Sequence, residues 1–165
     1  MKPPYEITPD IVKQISSISE KIGEISAKYL DRQSPQLRKQ NKIKTIHSSL
    51  QIEGNALTEE QITAIIESKR VIGSQKDILE VKNAIGVYDN LSKYKSTSEK
   101  SFLSAHKSLL HGLVGDAGNY RKQGVGIAKG NIIAHIAPPY ESVPSLMRGL
   151  FEYLKDKNEI TLIKS

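Results

Sequence analysis

The amino-acid sequence predicts an all-α protein with one small β-hairpin. Three observations carry that prediction. Isoleucine and leucine return every three or four residues through most of the chain, the period of a single helix face. Helix start signals stand ahead of those stretches. The period breaks once, between Val125 and Ile136, where two short apolar runs flank Lys129-Gly130 and Pro138-Pro139 bars any continuation of the second.

The elements follow in order. Thr8 can cap a helix, Pro9 loses nothing at its first position, and Asp10 suits the positive end. Ile11, Ile15, Ile18, Ile22 and Ile25 then draw one apolar stripe, with the helix expected to run to about Leu30 and to break at Gln33-Ser34-Pro35. The next helix, over about 42–54, presents Ile43, Ile46 and Leu50 and stops at Gly54-Asn55. Thr58 and Gln61 make a capping box for a third helix through Ile62, Ile65 and Ile66. A turn at Gly73-Ser74 precedes a longer helix carrying Ile78, Val81, Ile85 and Tyr88. Another from about Ser98 presents Phe102, His106, Leu109 and Leu113. Gly115 to Asn119 is a turn region ahead of the hairpin. Ser142 is positioned to cap a helix through Leu146, Met147, Leu150, Phe151 and Leu154, and the stretch from Ile160 to Ser165 opens a further apolar element.

A chain of 165 residues, 38% apolar and 25% charged, is long enough for one domain with its own core. Cysteine is absent, which excludes disulfides and thiolate metal sites. No apolar run approaches the roughly 20 residues that span a bilayer. The start, MKPPYEITPD, lacks the apolar core of a secretory signal, so a cytoplasmic protein with no membrane partner is expected. The net charge is +6, from 24 basic and 18 acidic residues. Those basic residues are spread along the chain, densest at Arg38-Lys39, Lys42 and Lys44, with no zinc-finger or basic-region pattern. Nucleic-acid binding through this segment is therefore not expected.

Few residues offer chemistry. His47, His106, His111 and His135 lie in elements of different type, and the five-residue gap between His106 and His111 is not a same-face spacing. No metal site is expected, and His106 reads as a partly buried structural histidine. No serine sits in a strained Gly-x-Ser-x-Gly setting, and Gly124-Val125-Gly126-Ile127 lacks the spacing of a phosphate-binding loop. Glu53 is the one anomaly. It places a carboxylate at a helix C-terminus, where a cation is favoured. From periodicity alone it reads as a solvated glutamate with Gly54 as the stop signal.

The segment Ser49-x-x-x-Glu53-Gly54-Asn55, followed by Leu57-Thr58, resembles the inhibitory-helix motif of Fic-domain (Fic/DOC) proteins. Downstream, His106, Gly118-Asn119-Tyr120-Arg121, Val125-Gly126-Ile127, Pro138-Pro139 and Val143-Pro144-Ser145-Leu146-Met147 follow in that family's order. The resemblance runs from about Pro3 to Ser165. It implies a Fic-like helical fold in which 1–95 form an N-terminal helical region and 96–165 the first part of the Fic core, with a flap hairpin at about 124–137. It also implies protein adenylylation, the transfer of AMP from ATP to a Ser, Thr or Tyr hydroxyl of a target protein.

The family's catalytic loop, His-Pro-Phe-x-(Asp/Glu)-Gly-Asn-Gly-Arg with a second Arg after it, does not occur in these residues. By the resemblance it begins beyond Ser165, so the chain is expected to be an N-terminal portion without catalytic residues of its own. ATP and Mg²⁺ are expected to be needed by the full-length protein and not to be bound strongly by this chain alone. The resemblance assigns Glu53 to pairing with the second Arg of that loop, Ser49 to tying the helix down, and Gly54 and Asn55 to the same corner. It makes Val125, Gly126, Ile127, Ile132, Ile133, Ala134 and His135 the target-binding flap, against the plainer reading of a structural hairpin. His106 and Arg121 become structural residues near the site, with Arg121 bracing the flap base.

The expected partners are thus a target protein and the catalytic Fic segment, with self-association through apolar surface left uncovered. Two other functions compete: a non-enzymatic regulator that donates its inhibitory helix in the manner of an antitoxin, and a basic helical nucleic-acid module.

Overall fold

The computed structural model describes residues 3–29, 34–129 and 132–164. Leu30 and Gln33 at the expected end of the first helix, and Gly130 and Asn131 in the hairpin turn, lie outside the described residues. Seven α-helices and one antiparallel hairpin are present among them, which is the predicted class: α1 Pro9–Tyr29, α2 Pro35–Ile52, α3 Glu59–Ile66, α4 Gln75–Asp89, α5 Glu99–Leu109, β1 Gly126–Lys129, β2 Ile132–Ile136, α6 Val143–Lys155 and α7 Thr161–Lys164.

Local signals place most of the boundaries. Thr8 Oγ1 accepts the Ile11 N–H at 3.3 Å. Ser74 and Ser98 accept from Asp77 and Ser101 at the starts of α4 and α5. At α3 both halves of the capping box form: Thr58 Oγ1 accepts the Gln61 N–H at 3.3 Å, and Gln61 Oε1 accepts the Thr58 N–H at 2.9 Å.

Two starts differ from expectation. α2 begins at Pro35, well ahead of residue 42, because Ser34 caps it by accepting the Leu37 N–H and Pro35 occupies its first turn. Ser142 stands at the start of α6 but forms no capping bond with its side chain. A 3₁₀ turn over Tyr140–Ser142 leads directly into that helix, so its backbone is already helical and its hydroxyl is not aimed back at α6.

α2, α3 and α4 pack on one another around Ile43, Ile46, Leu57, Ile62, Val81 and Ala84, with Leu50, Ile65, Ile78, Ile85 and Tyr88 half-buried at the margin. α4 also packs on α5, and α5 on α6, where Phe102 meets the buried Phe151 edge-to-face at 6.0 Å. Glu67, at the end of α3, ties it to α2 through Lys39 at 2.8 Å and also pairs with the nearby Lys69 at 2.8 Å, and these cations hold its carboxyl down at about 2. The core is small for the chain. Its accessible surface is 13003 Å², against about 8,000 Å² for a compact monomer of this size.

α1 accounts for part of that excess. Among the described residues it packs substantially on no other element, and Ile15, Ile18, Ile22 and Ile25 are all exposed. Its anchor lies ahead of it, where the Tyr5 hydroxyl donates to Glu159 Oε1 at 2.6 Å.

α3 ends with the Ser68 N–H on the Ile65 carbonyl and the Lys69 N–H on the Ala64 carbonyl. That double bond pattern needs a left-handed residue, and Ser68 adopts φ 59° without being glycine. Ser68→Gly should therefore raise stability by about 0.5–1 kcal/mol. An unchanged urea midpoint would show that the left-handed serine carries no penalty.

Candidate functional site

The corner at the end of α2 is built from three successive residues. The Gly54 N–H donates to the Gln51 carbonyl at 3.0 Å and the Asn55 N–H to the Leu50 carbonyl at 3.0 Å. Together these bonds close a Schellman motif, and Gly54 supplies its left-handed turn at φ 88°. A Cβ on Gly54 would meet nothing within 4 Å, so backbone conformation alone selects glycine there.

Asn55 then turns inward and is buried. Its Nδ2 donates to the Asp77 carbonyl at 3.1 Å and to Glu80 Oε2 at 2.8 Å, while its Oδ1 accepts the Leu57 N–H at 3.1 Å. One side chain thus fastens the end of α2 to the first turns of α4.

Glu53 lies one step before the turn and points the other way. It is exposed, and its carboxylate makes no ion pair or hydrogen bond among the described residues. Ser49, one turn earlier, is also exposed and its hydroxyl is likewise unbonded. The exit of α2 is therefore rigid in its backbone, yet it presents an uncompensated negative group at the end of a helix where the backbone carbonyls already carry partial negative charge. A cation approaching this tip meets both.

The hairpin forms a second, separate feature. Gly126 pairs with Ile136, Ile127 with His135, Ala128 with Ile133 and Lys129 with Ile132. The register shifts between Ile127 and Ala128, which leaves Ala134 as the extra residue of a bulge. Beyond the strands, the Ala137 N–H donates to the Val125 carbonyl at 3.1 Å. Arg121 spans both legs at the base, donating to the Gln123 carbonyl at 2.8 Å and to the Pro138 carbonyl. Val125, Ile127 and Ile136 are exposed and line a shallow apolar groove with Pro138, Pro139 and Tyr140.

His106 and Gly118 make a third. His106 Nδ1 accepts the Gly118 N–H at 2.8 Å, which puts the ring proton of a neutral imidazole on Nε2. Gly118 has φ 86°, and a Cβ there would come within 2.7 Å of the Lys107 Cβ, so the turn fits against α5 only as glycine.

Next to it, the Tyr120 hydroxyl donates to Glu99 Oε1 at 2.9 Å. Burial, and then the bond to Glu99, push its pKa up to about 12 from 10.0. Since the unfolded chain releases this proton near pH 10, native stability should fall as pH rises from about 10 towards about 12. Tyr120→Phe should flatten that part of the alkaline denaturation curve. An identical curve would mean Tyr120 does not titrate differently in the folded state.

Among the described residues α2 packs on α3 and α4, while the strands of the hairpin pack substantially only on each other. The structure therefore joins Glu53, Gly54 and Asn55, sets Ser49 beside them on α2, and leaves the hairpin, Arg121 and His106 elsewhere. Among the described residues no group of three His, Asp or Glu side chains is placed to hold a metal ion, and no helix is long and apolar enough to cross a membrane. Asp77 and Glu80 were not foreseen as partners of the corner, because no spacing in the sequence links them to Asn55.

No family model matches the chain, and no curated protein matches it. Among solved structures it is similar to a Fic family protein from Desulfovibrio desulfuricans G20, with a TM-score of 0.90 and 43% sequence identity. That match covers 99% of this chain and 50% of the other, so the chain spans about half the length of this relative.

Proposed function

The chain belongs to the Fic family, and on that premise we propose that it is the regulatory and target-docking part of an autoinhibited protein adenylyltransferase. The whole protein would move AMP from ATP to a Ser, Thr or Tyr hydroxyl of a target protein. The observation that carries this reading is Glu53: an exposed carboxylate, unpaired among the described residues, at the tip of a helix whose exit is held by two capping bonds and by buried Asn55.

A carboxylate presented on a helix tip whose backbone is fixed in this way can capture an arginine by a bidentate pair. If that arginine is the second one of the catalytic loop, it cannot also grip the γ-phosphate of ATP. The triphosphate then settles with its α-phosphate out of line for attack by the target hydroxyl, and transfer stops. The loop motif does not occur in these 165 residues. ATP and Mg²⁺ would bind where it meets the rest of the protein, and this chain's residues would set whether that binding is productive.

The hairpin supplies the second part of the reading. An exposed strand edge over an apolar groove can take an extended segment of a target by strand addition, with Ile127 and Ile136 beside the docked chain. Arg121, fixed on carbonyls of both legs, keeps that edge from splaying. The test is AMP incorporation from radiolabelled ATP by the protein joined to its catalytic loop, comparing Glu53→Gly with the parent. Equal rates would remove Glu53 from the inhibitory role.

A further inference from the structure

α1 carries isoleucine at 11, 15, 18, 22 and 25, alternating spacings of four and three residues. This is a seven-residue repeat with isoleucine at both apolar positions. Such a repeat stays on one line only when the helix supercoils around another helix. A helix lying on a globular core shows a broader stripe, with extra apolar positions at the flanks. Here Val12 is the only such flanking residue within that stretch. The expected cover for α1 is therefore a helix.

Nothing described in the structure provides it. Ile18, Ile22 and Ile25 are 56%, 58% and 56% exposed, and no other element packs substantially on α1. The residues beside the stripe argue for an identical helix as the occupant. In a parallel alignment of two copies Lys21 faces Ser26 and Gln14 faces Ser19, so no like charges meet. Asp10, Glu20 and Glu24 balance Lys13, Lys21 and Lys28 along the helix, so the chain's net charge of +6 is not concentrated at the seam. Lys21 and Lys28 stand on one flank, so a different helix selected by charge would need acidic residues against both, whereas an identical helix in parallel brings no lysine against them.

We infer that α1 is a self-association helix, and that a second copy of this protein covers the Ile15–Ile18–Ile22–Ile25 seam. Isoleucine at both repeat positions also accommodates more than two helices in one bundle. The inference stands on α1 alone and is independent of the adenylylation reading.

Sedimentation equilibrium across a concentration series tests it. The expected result is a mass that climbs from monomer to oligomer, and an Ile18→Glu/Ile22→Glu variant that remains monomeric with its far-UV circular dichroism retained. A parent that stays monomeric throughout, or a variant that still associates, would overturn it.

Disulfide trapping gives a second readout that does not depend on the double variant folding. The chain has no cysteine, and in the parallel alignment Ile18, in the middle of the stripe, meets its own counterpart. Ile18→Cys should give a covalent dimer on mild oxidation, while Glu20→Cys on the opposite face should not. Equal trapping at both positions, or none at Ile18→Cys, would also overturn the inference.

Discussion

Glu53→Gly is expected to raise adenylylation by about 5–150-fold, the range of an intramolecular coupling worth about 1–3 kcal/mol. The expectation follows from the position of the side chain. Glu53 is exposed and its side chain makes no hydrogen bond or ion pair among the described residues, so removing it costs the isolated fold little. Glycine also fits a helix exit that already turns through Gly54. Any change in rate therefore reports contact with the catalytic loop and not a loosened α2.

Glu53→Gln separates charge from shape. It keeps the length and loses the ion pair, so its rate should approach that of Glu53→Gly. If Glu53→Gln behaves like the parent while Glu53→Gly is activated, the side chain inhibits by occupying space. If neither variant differs from the parent in AMP incorporation, Glu53 is a surface residue and the inhibitory reading fails.

Asn55→Ala is expected to cost about 2–3 kcal/mol, because it strips partners from buried or half-buried polar groups. The Leu57 N–H loses its acceptor, and the Asp77 carbonyl and Glu80 each lose a donor. For a domain of this length that corresponds to a fall of about 5–10 °C in Tm. Asn55→Asp keeps the volume and the bond to Leu57 but sets a second carboxylate against Glu80, so it should do no better at neutral pH.

Ile52 gives the contrast. It is a large apolar residue three positions earlier, yet it is 83% exposed, and Ile52→Ala should change stability by less than about 0.5 kcal/mol. Equal melting temperatures for Asn55→Ala and the parent would show that the corner is held by the core alone.

Much of the fold was legible in the chain because its signals are local. The capping box at Thr58 and Gln61, the cap at Thr8 and the stop at Gly54 each involve residues within a few positions of one another. Ser34-Pro35 is the same kind of signal as Thr8-Pro9. Read only as a break between helices, it hid the true start of α2; one dipeptide ends one element and opens the next. Ser142 shows the converse, since a serine in the right place forms no cap when the preceding turn is already helical.

The candidate site divides along the same line. That Glu53 stands at a helix end facing the unfavourable pole, and that α1 carries a seven-residue repeat, follow from residue order alone, because helical geometry is periodic and short-range. What holds the corner does not. Asn55 reaches Asp77 and Glu80 more than twenty positions away, and Arg121 closes the hairpin on the Pro138 carbonyl. Periodicity equally could not say whether the α1 stripe is covered. Pattern marks which face is apolar, but burial depends on which helices meet, and only the packed chain decides that.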